Sequence, residues 1–288
     1  MSTPDPAPPA AEPAGPAHPV PSAPPGYGPY LPYQPPPPPA PPNPRTRKAL
    51  IAVTVAWGLL LAGTGIWYSF HGRPTAREQT TIAAAEPVVA QAMADLVRAA
   101  GPAVIPAVSG FEKAEDCAVT PARGGAEYRR LLWLYTPAGP EPALLDRIAG
   151  GLPGRYHAVT RHSAGGAVHT LSADAGYYVA VTGSVVVPGL VQVRADTGCR
   201  TLGRQPAADP AASPGENPLG INGSWHLHTL ACGLRTLAVT GPASRPWSTL
   251  PGNGTVVSTP EVYATRDGHA ARSDGGTVTW TVTSGTCR

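Results

Sequence analysis

The chain has 288 residues and a formal charge of +3, room for one ordinary domain with appendages or for two small ones. Its arginines are scattered singly rather than gathered into a cluster or stripe, which excludes a nucleic-acid footprint, and lysine occurs only at Lys48 and Lys113. Proline is uneven: 20 of the 38 prolines precede Arg45, in a stretch without Phe, Ile or Trp and so without material for a core.

Residues 1–48 are therefore expected to be a disordered Pro-rich tail. Within it Tyr27, Tyr30 and Tyr33 recur every third residue ahead of the Pro35–Pro39 run. A polyproline II helix turns once per three residues, so the rings would share one face and could meet a cytoplasmic partner.

Residues 49–70, ALIAVTVAWGLLLAGTGIWYSF, carry no charge, enough to cross a hydrocarbon layer of about 30 Å. The run exceeds the apolar core of a cleavable signal peptide and starts nearly fifty residues in, so it reads as a transmembrane helix and uncleaved signal anchor. Flanking arginines and Lys48 bias its direction only slightly. The cysteines decide it: Cys117, Cys199, Cys232 and Cys287 all follow the span, and an even number in an exported region implies disulfides. The tail is then cytoplasmic and the rest extracellular.

Residues 71–204 read as an α+β unit. Val88/Val89, Ala92/Met93 and Leu96/Val97 predict an amphipathic helix from Arg77 to Ala100, stopped by Gly101-Pro102. Alternation then predicts strands over 127–136, 156–162, 167–173, 177–183 and 190–195, with one helix from Pro142 to the Gly150-Gly151 stop. Asp174 and Asp196 read as turn residues. Residues 205–218 have no apolar period and read as a linker.

Residues 219–288 look like a shortened copy. DCAVTP, YHAVTR and DTGCR in the first unit are answered by LACGLRTLAVT, VYATR and SGTCR in the second. The fold expected is thus α+β: one transmembrane helix, then an antiparallel-sheet region of two related disulfide-stapled units. Duplication favours pairing Cys117 with Cys199 and Cys232 with Cys287, out of three possible connectivities.

SWHLHTLACGL (224–234) holds the densest set of reactive side chains. On a straight strand His226, His228 and Cys232 share a face, but at ~3.3 Å per residue Cys232 lies about 13 Å beyond His228, too far for a common ion. His226 and His228 are left as candidate metal ligands, helped by a distant third such as His269. TLAC (229–232) is similar to the sortase motif TLxTC, with His169 and Arg235 available as partners. However, Ala231 stands where sortases have threonine, and a cysteine held in a disulfide is no nucleophile. No nucleophile elbow or S-x-x-K pattern is present. No catalytic residue and no cofactor site is assigned.

The tail through Pro44, RTRK with its span, and the ADTGCR and VYATR segments together resemble uncharacterised single-pass membrane proteins of high-GC Gram-positive bacteria. Such proteins have no established activity to carry over, and the expectation is a membrane-anchored envelope protein with a non-enzymatic external module that binds another envelope protein, a wall polymer or a small ligand. An envelope enzyme is the alternative.

Overall fold

The computed structural model describes residues 44–71, 80–250, 252 and 254–287. The Pro-rich tail up to residue 43, with its three tyrosines, lies outside them. Helix α1 (Pro44–His71) begins five residues before the apolar run, because Pro44 suits a first helical turn and nothing in Arg-Thr-Arg-Lys breaks a helix. Its large apolar side chains between Leu50 and Tyr68 are all more than half exposed. By length and composition it is a candidate membrane helix. Thr54 and Thr64 fit such a helix by donating to the carbonyls of Leu50 and Leu60, 3.0 and 2.6 Å away. The chain divides inside α1, between Gly58 and Leu59, and all that follows forms one unit.

The next helix, α2 (Ile82–Ala100), starts later than the periodicity predicts because the Thr81 hydroxyl caps it, accepting from the Ala84 amide at 3.2 Å. Its end at Gly101 is as expected. The first sheet follows: β1 (Ile105–Val108), β2 (Glu112–Thr120), β3 (Arg123–Tyr135), β4 (Val159–His162), β5 (His169–Asp174), β6 (Ala180–Val187) and β7 (Leu190–Asp196). Between β3 and β4 come α3 (Glu141–Gly151) and a 3-10 turn, Gly154–Tyr156. All pairings are antiparallel, in the order β2-β3-β7-β6-β5-β4, with β1 on the far half of β3. Strand β6 begins at Ala180 rather than at Tyr177. Gly176, Tyr177 and Tyr178 have φ of 83°, 51° and 59°, a left-handed turn closed by the Val179 amide on the Gly176 carbonyl. The buried Arg200 guanidinium holds this turn by donating to the Tyr177 carbonyl.

The second sheet comprises β8 (Trp225–Thr229), β9 (Arg235–Gly241), β10 (Thr255–Ser258), β11 (Val262–Thr265), β12 (His269–Asp274) and β13 (Thr277–Ser284), with a 3-10 turn Trp247–Thr249 before β10. Its order, β8-β9-β13-β12-β11-β10, repeats that of the first sheet strand for strand. Disulfides join Cys117 to Cys199 and Cys232 to Cys287, the pairing expected, and no described cysteine is free. Each closing cysteine stands three residues beyond the last strand of its sheet.

The sheets share their core. Successive residues of β3 face opposite ways: Leu132 and Leu134 pack with Val191 and Val193 under α2 and α3, while Trp133 and Tyr135 pack with Val257, Val262, Ala264 and Ala270 of the second sheet. The Val108 amide donates to the buried Thr236 hydroxyl at 3.1 Å, and the Arg272 guanidinium lies 3.9 Å from the centre of the Trp133 ring. The layers run helices, first sheet, second sheet.

The segment expected as a linker forms no helix or strand, apart from a bridge between Ala211 and His226, yet it is packed. Ala212 within it and Leu219 and Ile221 just beyond it pack on Trp225, Val239 and Trp280, and the Trp280 indole donates to the Glu216 carbonyl at 2.8 Å. A chain that must cover two tryptophans is no loose spacer.

Candidate functional site

Strand β8 turns Trp225 and Leu227 into the covered face of the second sheet and presents His226 and His228 on the other. There they line a groove of about 570 Å³. Phe111, Glu112, Lys113 and Tyr128 from the first sheet form one wall and Gln205 to Asp209 another, with Ser224, Ala238 and Thr240 beside the histidines. Phe111 and Tyr128 contact each other, with ring centroids 5.2 Å apart.

Asp209 reaches the nearly buried His228, Oδ2 lying 2.9 Å from Nδ1. The carboxylate can come this close only because residue 110 is glycine, where a Cβ would sit 2.4 Å from Asp209 Oδ2. Burial pushes the Asp209 carboxyl up, but the hydrogen bond from His228 and the charges of His228, Arg130 and His226 hold it below its usual value. Arg130, buried on β3, is lowered by its own burial and supported by Asp209, Glu86 and Glu112. With Nδ1–H given to Asp209, the His228 ring keeps its Nε2 lone pair for a groove ligand.

The two candidate metal ligands, His226 and His228, do not converge. The His226 and His228 rings are nearly parallel with centroids 6.4 Å apart, whereas two imidazoles on one ion bring their centroids to about 5 Å. His269 is on the opposite face, stacked on Trp280 and bonded to Asp267 at 3.0 Å. Among the described residues no three His, Cys, Asp or Glu side chains are placed to share an ion. Cys232 is tied to Cys287 and packs against the core under α2, so the sortase-like nucleophile is absent. His169 faces His162 instead. Asp174 is a turn residue, accepting from the Gly176 amide at 2.8 Å.

Asp209 escaped the sequence reading because it lies in QPAADPAASP, which has no period to say what it faces. Phe111 and Tyr128 flank a hydrophilic hairpin whose burial is set by the segment crossing it. The chain matches no protein-family model, no curated protein and no solved structure.

Proposed function

We propose that this chain is a single-pass cell-envelope protein whose tail is cytoplasmic and whose two sheets lie outside the membrane as a binding module. The observation that carries this reading is that every cysteine lies beyond the apolar helix and is oxidised in a pair. The two sheets are copies of one unit: the same order of six strands, a 3-10 turn in the same connection and a cysteine at the same offset from the last strand support duplication. The module binds through the groove beside His226 and His228, where aromatic walls and a few fixed polar groups suit an envelope protein segment or a wall polymer.

Protease added to intact cells tests the topology. It should remove epitopes after residue 80 and spare one at the N-terminus, and the reverse pattern refutes the orientation. For the groove, the full chain in detergent should be retained on isolated cell envelopes, and Thr240→Trp, which fills the groove, should release it. Equal retention of both proteins removes the groove from the reading.

A further inference from the structure

A second histidine pair, outside the groove, meets the conditions that His226 and His228 fail. His162 and His169 stand directly opposite each other across the β4–β5 hairpin. The turn between them is fixed by the Ser163 hydroxyl, which accepts from the Ala167 and Val168 amides at 3.1 and 3.0 Å. The two Nδ1 atoms are 2.7 Å apart and the ring centroids 4.9 Å.

The outer nitrogens are already committed. His162 Nε2 lies 2.9 Å from Asp146 Oδ1, on α3, and His169 Nε2 lies 2.8 Å from the Gly166 carbonyl. The carboxylate also accepts from the Thr160 hydroxyl at 2.6 Å. Both partners are acceptors, so both Nε2 atoms carry their protons. Each neutral ring then has only a lone pair at Nδ1, and the two Nδ1 atoms are in contact at 2.7 Å. Two lone pairs at this distance repel unless an electrophile sits between them, and that electrophile is either a third proton or a metal ion.

We propose that His162 and His169 form a two-imidazole chelate for a divalent first-row transition cation, with Cu(II) and Ni(II) preferred to Zn(II). An ion about 2.0–2.1 Å from both nitrogens would subtend an N–metal–N angle of about 80–85° at their present spacing. That is near the right angle of a tetragonal ion and well short of the tetrahedral angle zinc takes. The carboxylate on one outer nitrogen and the backbone carbonyl on the other are the partners that orient metal-bound histidines. The remaining coordination positions open to solvent on the side of His162, which is exposed, while His169 is half-buried. Binding displaces the shared proton: the singly protonated pair and M²⁺ give the metal-bound pair and H⁺. This site does not depend on the topology or the groove proposed above.

The test is a Cu(II) titration of the full chain in detergent, carried out on a His226→Gln background. That substitution removes one member of the other pair and leaves the His228–Asp209 bond intact. Electron paramagnetic resonance should show one Cu(II) with two imidazole nitrogens. His162→Gln and His169→Gln should each weaken binding at least tenfold, and Asp146→Asn about 10–100-fold. Asp146 and His162 are exposed and His169 is half-buried, and far-UV circular dichroism checks that the fold is kept. Copper bound equally well by the His162→Gln/His169→Gln double variant overturns the proposal. So does a wild-type spectrum with fewer than two coordinated imidazoles, or a histidine pair that takes up a proton but no metal.

Discussion

Asp95 of α2 is 4 % exposed and is the hub of the contact between α2 and the 3-10 turn after α3. It accepts from the Tyr156 hydroxyl at 2.6 Å, from Gln91 at 2.9 Å, from Arg155 at 3.1 Å and from Arg98. Asp95→Asn keeps the shape and removes the charge. Arg98 and Arg155 are 38 % and 64 % exposed and would turn to water, so each contributes at most about 1 kcal/mol. The buried Tyr156 hydroxyl cannot, and its charge-assisted bond is worth about 1.5–3 kcal/mol. The expected loss at pH 7 is about 3 kcal/mol, or 6–12 °C in Tm for a body of this size. Burial alone would raise the Asp95 carboxyl, but the bonds from Tyr156, Arg98 and Gln91 hold it below its ordinary value. The folded state therefore binds that proton later than the unfolded chain, whose aspartates titrate near pH 4. The stabilisation is complete above about pH 5 and drains away as pH falls through the folded value, so the gap between wild type and variant should narrow there. Thermal unfolding from pH 7 to pH 3 measures it. A gap below 1 kcal/mol at pH 7, or one unchanged at pH 3, refutes the reasoning.

Gly189→Ala should destabilise by about 2–4 kcal/mol in urea unfolding: φ is +87°, and a Cβ would meet Val257 of the second sheet at 2.3 Å. An effect under 1 kcal/mol would mean that the sheets do not press together there. Removing either disulfide opens a loop of 82 or 55 residues and should cost roughly 4 kcal/mol in the chain-entropy view, read from unfolding of the Cys117→Ala/Cys199→Ala and Cys232→Ala/Cys287→Ala proteins. Asp209→Ala leaves His228 Nδ1 without its acceptor and should cost about 1–2 kcal/mol. The segment should then loosen, seen as faster hydrogen exchange at the Ala212 and Leu227 amides that bond it to β8; unchanged exchange would show that the carboxylate is not its tether. Because Asp209 is held below its ordinary value, this difference should fade in acid.

Much of the first sheet was legible because its signal is local. Alternation marked β3 to β7, and Pro142 with Gly150-Gly151 bracketed α3. Strand β2 carried no such mark: it is a half-exposed hairpin arm, Glu-Lys-Ala-Glu-Asp-Cys, whose pairing is set by β3. Tyr177 and Tyr178 read as strand because tyrosine favours strands, whereas the buried Arg200 and the Asp174 turn bend them left-handed. Leu131–Tyr135 is covered on both faces, but alternation over 127–136 marks only a strand and does not name the second sheet as the layer over one of them. His162 and His169 were each visible within a strand. Only the register of the hairpin sets them face to face.

The correspondence between the sheets explains why the second does without helices. With the closing cysteines matched, Val191, Val193 and Ala195 of β7 stand where Thr279, Thr281 and Thr283 stand in β13. In the first sheet that face is covered by α2 and α3; in the second it is turned toward the first sheet, where Thr281 pairs with Ala270 and Thr236 meets the Val108 amide. The two sheets thus stack in the same sense, each with the same face covered by the layer before it. Under the helices β7 carries valine and alanine, whereas under the first sheet β9 and β13 carry threonines that satisfy one another, Thr236 with Thr283 at 3.2 Å and Thr240 with Thr279 at 3.0 Å. Among the described residues no further layer lies on the far face of the second sheet, with Trp225 and Trp280, and the segment around Leu219 and Ile221 and the turn at Trp247 cover it. That same segment, in crossing from one sheet to the other, brings Asp209 to His228 and walls the groove. The groove is a consequence of stacking two like sheets and having to return along their edge.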